Sequence, residues 1–253
     1  MTKKQSILDA FSVILVLFVN YYSQTGNINN QTVGALSNEY DNLFTPAGYA
    51  FAIWGIIFLA LLAYAIYGLV VAFSAKDQSH NQTSYWFMLV NLGNVSWLIA
   101  WLYEYTGLSV VIMLFMLFGL VKIIISSIMG KAETTLSVRA FVWWPIAIYA
   151  GWISVATIAN FAAYFSKLQW DGGFIGEETW TVAMIVIAVA VNVFVVWNRS
   201  LVSFGLVGIW ALMAINSRHN GSMDTLALTA LIGAGVILFN ITLHTIRNLL
   251  ITK

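Results

Sequence analysis

Apolar residues in this chain come in long runs broken by short polar punctuation, not in the narrow stripes of a soluble helix. A membrane-crossing helix takes about 20 largely apolar residues. The runs predict eight such helices, at roughly 6–22, 46–74, 84–103, 107–129, 138–165, 179–198, 200–216 and 225–247. The seventh follows Asn198-Arg199 with almost no loop, so it either forms a tight hairpin with the sixth or inserts only part-way. The expected fold class is all-α: a polytopic membrane helical bundle of about eight transmembrane helices. The long polar interruption at 23–45 starts Gly- and Asn-rich, then carries Leu36, Tyr40, Leu43 and Phe44. A loop of that length with apolar residues near its end reads as a lid, with Tyr40, Asp41 and Leu43 as its working residues.

Composition sharpens this picture. The chain is 60% hydrophobic and 8% charged, with mean hydropathy +0.85. Soluble domains carry roughly 25% charged residues, so lipid is the solvent for much of this surface and membrane lipids are its first partners. Cysteine is absent, which removes disulfides, thiolate metal sites and cysteine nucleophiles. A net charge of +1 offers no field for nucleic acid. Lys3 and Lys4 precede an apolar run to Tyr22 with no small-x-small cleavage site after it, so the first span is expected to be a retained signal-anchor helix.

Basic residues set the expected orientation. With the N-terminus inside and eight spans, Lys3, Lys4, Lys76, Lys131, Arg139, Arg199, Arg247 and Lys253 fall on the cytoplasmic side, and Lys122 can snorkel there. Only Lys167 and Arg218 fall outside. This predicts a multi-pass protein of the plasma membrane (bacterial inner membrane) with both termini cytoplasmic.

Four tryptophans, Trp54, Trp97, Trp152 and Trp210, sit well inside apolar spans. Tryptophan prefers the membrane interface, where its N–H stays wet; placed deeper, it needs a partner for that N–H or a ligand to stack on. On span two, Trp54 and Phe58 share a face with Phe51 and Gly55 beside it. On span three, Asn91, Asn94, Trp97 and Trp101 form one stripe. On span five, Tyr149, Trp152, Ala156 and Asn160 share a stripe, while Gly151 and Ala159 allow a neighbouring helix to approach closely. The predicted orientation puts Trp54, Trp97 and Trp152 between the midplane and the outer face, so a pocket there would open outward. Packing is the competing role for a deep tryptophan, and helix–helix hydrogen bonding the competing role for an intramembrane asparagine.

At these residues the chain resembles the TspO/MBR family, the tryptophan-rich sensory proteins related to the mitochondrial translocator protein. The resemblance covers 6–166. Pro46 and Trp54 match a helix-opening proline with tryptophan eight residues on, with Phe58 where the family has tyrosine; Asn94 and Trp97 match an Asn-x-x-Trp step, followed by Ile99 in place of a proline; Trp152 and Asn160 match the Trp-to-Asn step of the fifth helix. The resemblance implies a five-helix bundle over 1–170 with its lid loop 23–45, and leaves 171–253 as a three-helix extension. It implies binding of a planar hydrophobic ligand, porphyrin- or sterol-like, with no required cofactor and porphyrin as a possible ligand. Trp54, Phe58, Phe51, Trp97, Tyr149 and Trp152 would supply apolar and stacking surface, and Asn94 and Asn160 would orient the ligand; a homodimer is possible. The extension's role is expected to be structural, with Trp210 as packing.

Catalysis finds little support. His80, His219 and His244 lack metal-ligand spacing and no HExxH occurs. Asp9 is expected to be interfacial beside Lys3 and Lys4, leaving no acid mid-membrane and so no sign of an ion-coupled pump. The alternative function is facilitated transport or export of a small apolar or amphipathic solute; a membrane enzyme acting on a lipid or pigment is a third.

Overall fold

The computed structural model describes residues 2–74, 85–131, 134–170 and 172–251. Lys76, His80 and Lys253, used above, lie outside the described residues. The elements are α1 (Lys3–Gln24), the short α2 (Val33–Glu39), a 3-10 turn (Gly48–Ala52) leading into α3 (Ile53–Phe73), α4 (Trp86–Leu102) and α5 (Thr106–Ser126). One turn of helix, α6 (Leu136–Val138), passes through a π turn (Arg139–Trp143) into α7 (Trp144–Lys167). Then come α8 (Glu177–Arg199), α9 (Val202–His219) and α10 (Asp224–Ile251). No strand occurs among the described residues. Six of these helical stretches are long and apolar enough to cross a membrane. The other two long helices, α4 and α9, are shorter or less apolar.

The starts and stops follow local chemistry. Thr2, Thr32 and Thr135 each precede a helix and accept a hydrogen bond from the amide N–H three residues on, that of Gln5, Ala35 and Val138. Pro145 lies in the first turn of α7, where its missing N–H costs nothing. Pro46 stands just ahead of the 3-10 turn, so α3 begins later than a helix opened by that proline would. Glu177 and Glu178 begin α8 and Arg199 ends it, each sign at the favourable end of the helix dipole. Ser200, in left-handed conformation, lets α8 turn almost directly into α9.

Packing closes five helices into a ring in the order α1, α3, α7, α5, α4 and back to α1. α9 packs on the outside of α7, α10 packs on α9, and α8 packs on both and touches α7. The close approach expected at Gly151 is made by α9: a Cβ there would lie 3.0 Å from the Phe204 carbonyl oxygen.

α1 shows how membrane burial inverts a soluble pattern. Ile7, Phe11, Ile14, Phe18 and Tyr21 are exposed on its outer face. Ser6, Asp9, Ser12, Asn20 and Ser23 are buried toward the ring. Lipid takes the apolar face, and the bundle interior is the place where polar groups find partners. Asp9 therefore departs from its expected interfacial position. It is 1% exposed, and its carboxylate accepts from the Tyr64 hydroxyl of α3 at 3.4 Å.

Candidate ligand cavity beneath the lid

The sequence stripes on α3, α4 and α7 meet inside the ring. Trp54 stacks on Trp97 (ring centroids 6.3 Å apart, planes 24° apart) and meets Trp152 edge-on at 6.3 Å and Tyr149 at 6.2 Å. Trp97 stacks on Trp101 at 6.3 Å, and Trp101 meets Tyr40 of the lid edge-on at 6.2 Å. Phe51 packs edge-on against Trp152 at 6.4 Å. Stacked and edge-to-face pairs each add about 0.5–1.5 kcal/mol beyond burial, so this cluster is rigid as well as apolar. Phe58 stacks on Trp54 at 5.4 Å but does not line the cavity.

Between these rings lies a cavity walled by Trp54, Trp97, Trp101 and Trp152, by the small residues Ala156, Ala159 and Ala163 of α7, and by Val33, Ser37, Asn42 and Thr45 from the lid. Its volume is about 50 Å³. That exceeds the space needed for a water molecule but falls far below the roughly 300–1,000 Å³ of small-molecule sites. The cavity as it stands is too small for a planar ligand, which requires the lid to lift and the aromatic rings to spread. Apolar burial holds the lid down: Val33 and Leu36 of α2, and Phe44 beyond it, are buried at this end of the ring.

The polar groups divide into satisfied and free. The Asn160 side-chain oxygen accepts from the Ser109 hydroxyl of α5 and from Trp97 Nε1 at 3.4 Å, so it ties α4, α5 and α7 together while lining the cavity. Asn94 accepts from Asn20 Nδ2 of α1 at 3.0 Å. The Asn94 amide and the Tyr149 hydroxyl are buried side by side, close enough to pair with each other. Trp152 is 3% exposed, lines the cavity, and its buried Nε1 has no partner. A buried donor without an acceptor costs about 1–3 kcal/mol, and a ligand oxygen or nitrogen in the cavity would recover it.

Latches from α7, α8, α9 and the α4–α5 turn hold the lid down. The Tyr40 hydroxyl donates to Glu104 at 2.5 Å, and the Lys167 ammonium sits 5.3 Å from the Tyr40 ring centroid while donating to the Glu104 carbonyl at 2.6 Å. Burial first, then the Glu104 carboxylate, raises the Tyr40 pKa above the ordinary phenol value, which keeps the hydroxyl a donor. Glu104 itself adopts a left-handed conformation (φ 61°) at the α4–α5 turn, a cost accepted where the side chain is needed in place. Arg218 of α9 pairs with Asp41. His219 Nε2 bonds the Leu43 carbonyl at 2.8 Å, and the Leu43 amide donates to Glu177 at 3.3 Å. Leu43 lines a groove between α7 and α8, not the tryptophan cavity. Trp210, expected as packing, donates its N–H to the Ala50 carbonyl at 3.1 Å and so fastens the 3-10 turn to α9. Among the described residues no cluster of three or more His, Asp or Glu side chains is placed to hold a metal ion.

Asn20, Ser109, Glu104, Arg218, His219 and Trp210 were not among the expected site residues. Each lies far along the chain from what it touches, and the small intramembrane polar side chains Asn20 and Ser109 were the available signal.

The family model for "TSPO-like protein" matches residues 6–243, a span that runs from α1 into α10. No curated protein and no solved structure matches the chain.

Proposed function

The chain belongs to the TSPO-like family, a multi-pass membrane protein with a ligand-binding or transport role, and from that premise we propose that it binds a planar hydrophobic ligand, porphyrin- or sterol-like, between α3, α4 and α7 beneath the lid. The observation that carries this is the unpartnered Trp152 Nε1 on the wall of an aromatic cavity. Packing alone accounts for bulky rings in a bundle, but not for a donor left without an acceptor on a cavity wall. Trp54, Trp97 and Trp152 supply faces and edges, Phe51 closes the side, and Asn160 presents its amide at the wall. Phe58 acts indirectly, by backing Trp54. The lid exchanges a closed resting form for a loaded one, and binding serves sensing, regulation or transport. The proposed orientation places the lid on the outer face of a bacterial inner membrane with both termini cytoplasmic. The division into a five-helix bundle (1–170) and a three-helix extension (171–253) is part of the same proposal.

The test is titration of the purified protein with protoporphyrin in micelles, read by tryptophan emission. Saturable quenching is expected, with affinity at least tenfold weaker in Trp54→Ala and Trp152→Ala. Unchanged affinity in both variants rules out this cavity.

A further inference from the structure

A second opening lies outside the ring, between α7 and α8 and under the lid segment Asp41–Phe44, with a volume of about 530 Å³. That size is within the range of small-molecule sites. Its lining is aromatic and acidic. Phe161 and Phe165 of α7, Trp170 of the α7–α8 connection and Trp180 of α8 form a connected set of rings: Phe165 lies 4.9 Å from Trp170, and Trp170 meets Trp180 edge-on at 5.4 Å. Two carboxylates, those of Asp41 and Glu177, stand at its edge. Asp41 is neutralised by Arg218, whereas Glu177 is in no salt bridge among the described residues. The opening is therefore an aromatic recess at the ends of α7 and α8, with one carboxylate, that of Glu177, outside any ion pair among the described residues and met only by the Leu43 amide and the N-terminus of α8.

We propose that this groove binds a lipophilic organic cation, its charge over the Trp170 and Trp180 rings and beside Glu177, its apolar body along α7 and α8. Ring faces attract cations that shed water easily, and the attraction strengthens as the site dries. A neutral ligand of the same shape gains the apolar contact but neither the ring nor the carboxylate attraction. The site is separate from the tryptophan cavity, on the other face of α7, and shares with it only the lid residue Asn42.

The experiment compares methyltriphenylphosphonium with triphenylphosphine oxide, a neutral molecule of nearly the same shape, by isothermal titration in dodecyl maltoside micelles. The wild-type protein should bind the cation saturably and the neutral compound at least tenfold more weakly. Glu177→Gln should weaken the cation about threefold, and Trp170→Ala with Trp180→Ala about tenfold, the tryptophan variant leaving the protoporphyrin titration unchanged. Equal affinity of the wild type for the two compounds overturns the proposal, and that outcome needs no variant to fold. Wild-type affinity in the double tryptophan variant also overturns it.

Discussion

The ring and the three helices outside it handle intramembrane polar groups differently. Inside the ring, several polar side chains reach between helices, some while also bonding back along their own as Asn20 does to Val16 and Ser109 to Thr106: Asn20 to Asn94, Asn91 to Ser12 at 3.0 Å, and Ser109 and Trp97 to Asn160. Outside it, they mostly bond back one turn on their own helix: Asn192 to the Ala188 carbonyl, Asn198 to Phe194, Thr242 to Leu238 and Thr245 to Ile241. Exceptions there are the Trp197-to-Asn240 bond, the Asn216 bond to the Ala227 carbonyl and the His244 bond to the Ser200 hydroxyl. A polar group bonded to its own helix is self-sufficient and leaves the helix free to pack by shape. A polar group that needs another helix fixes register and depth, as a binding cavity requires. The outer helices act on the cavity from a distance, through Arg218, His219, Glu177 and Trp210 on the lid and the 3-10 turn.

The largest test of this contrast fills the cavity. Ala156→Phe on α7 should lower protoporphyrin affinity more than tenfold, a change of at least about 1.4 kcal/mol, while Trp197→Phe outside the ring should leave it within twofold, both by fluorescence titration. Next in size, Asn160→Ala should destabilise the protein by about 1 kcal/mol, read as a lower midpoint in thermal unfolding in micelles, because Ser109 and Trp97 lose their shared acceptor. Thr242→Val should stay within about 0.5 kcal/mol, since its hydroxyl serves only its own helix. If the two substitutions cost the same, the contrast between the regions fails. The smallest effect is kinetic. Arg218→Ala combined with Trp210→Phe should speed both association and dissociation of ligand in stopped-flow traces, with affinity changed less than threefold, because latches act on lid opening and not on the cavity wall.

Much of the ring was legible in the sequence because period and depth are local properties. Apolar run lengths predicted the eight long helices, and the stripes Trp54–Phe58, Asn94–Trp97 and Trp152–Asn160 needed only helical spacing to bring three tryptophans to one depth. The lid was legible as a segment but not as a structure. Its helix α2 is seven residues long, too short for a periodic signal, although Thr32 and the Val33, Leu36 and Tyr40 spacing mark it in retrospect. The latches were illegible because they join residues far apart: Tyr40 to Glu104 across 64 positions, Ala50 to Trp210 across 160, Asp41 to Arg218 across 177. Asp9 was misplaced for a related reason. Nearness to Lys3 and Lys4 suggested the interface, while the rotation of α1 turned it inward with Ser6 and Ser12.

The central claim, a ligand held inside the ring beneath the lid, is tested most directly by amide hydrogen exchange with and without protoporphyrin. Loading requires the lid to rearrange over a cavity that now holds only about 50 Å³. A ligand-dependent change in exchange is expected across 33–52 and the lid-facing ends of α4 and α7, with α10 unaffected. A change confined to α8–α10, with 33–52 exchanging identically in both states, would contradict it.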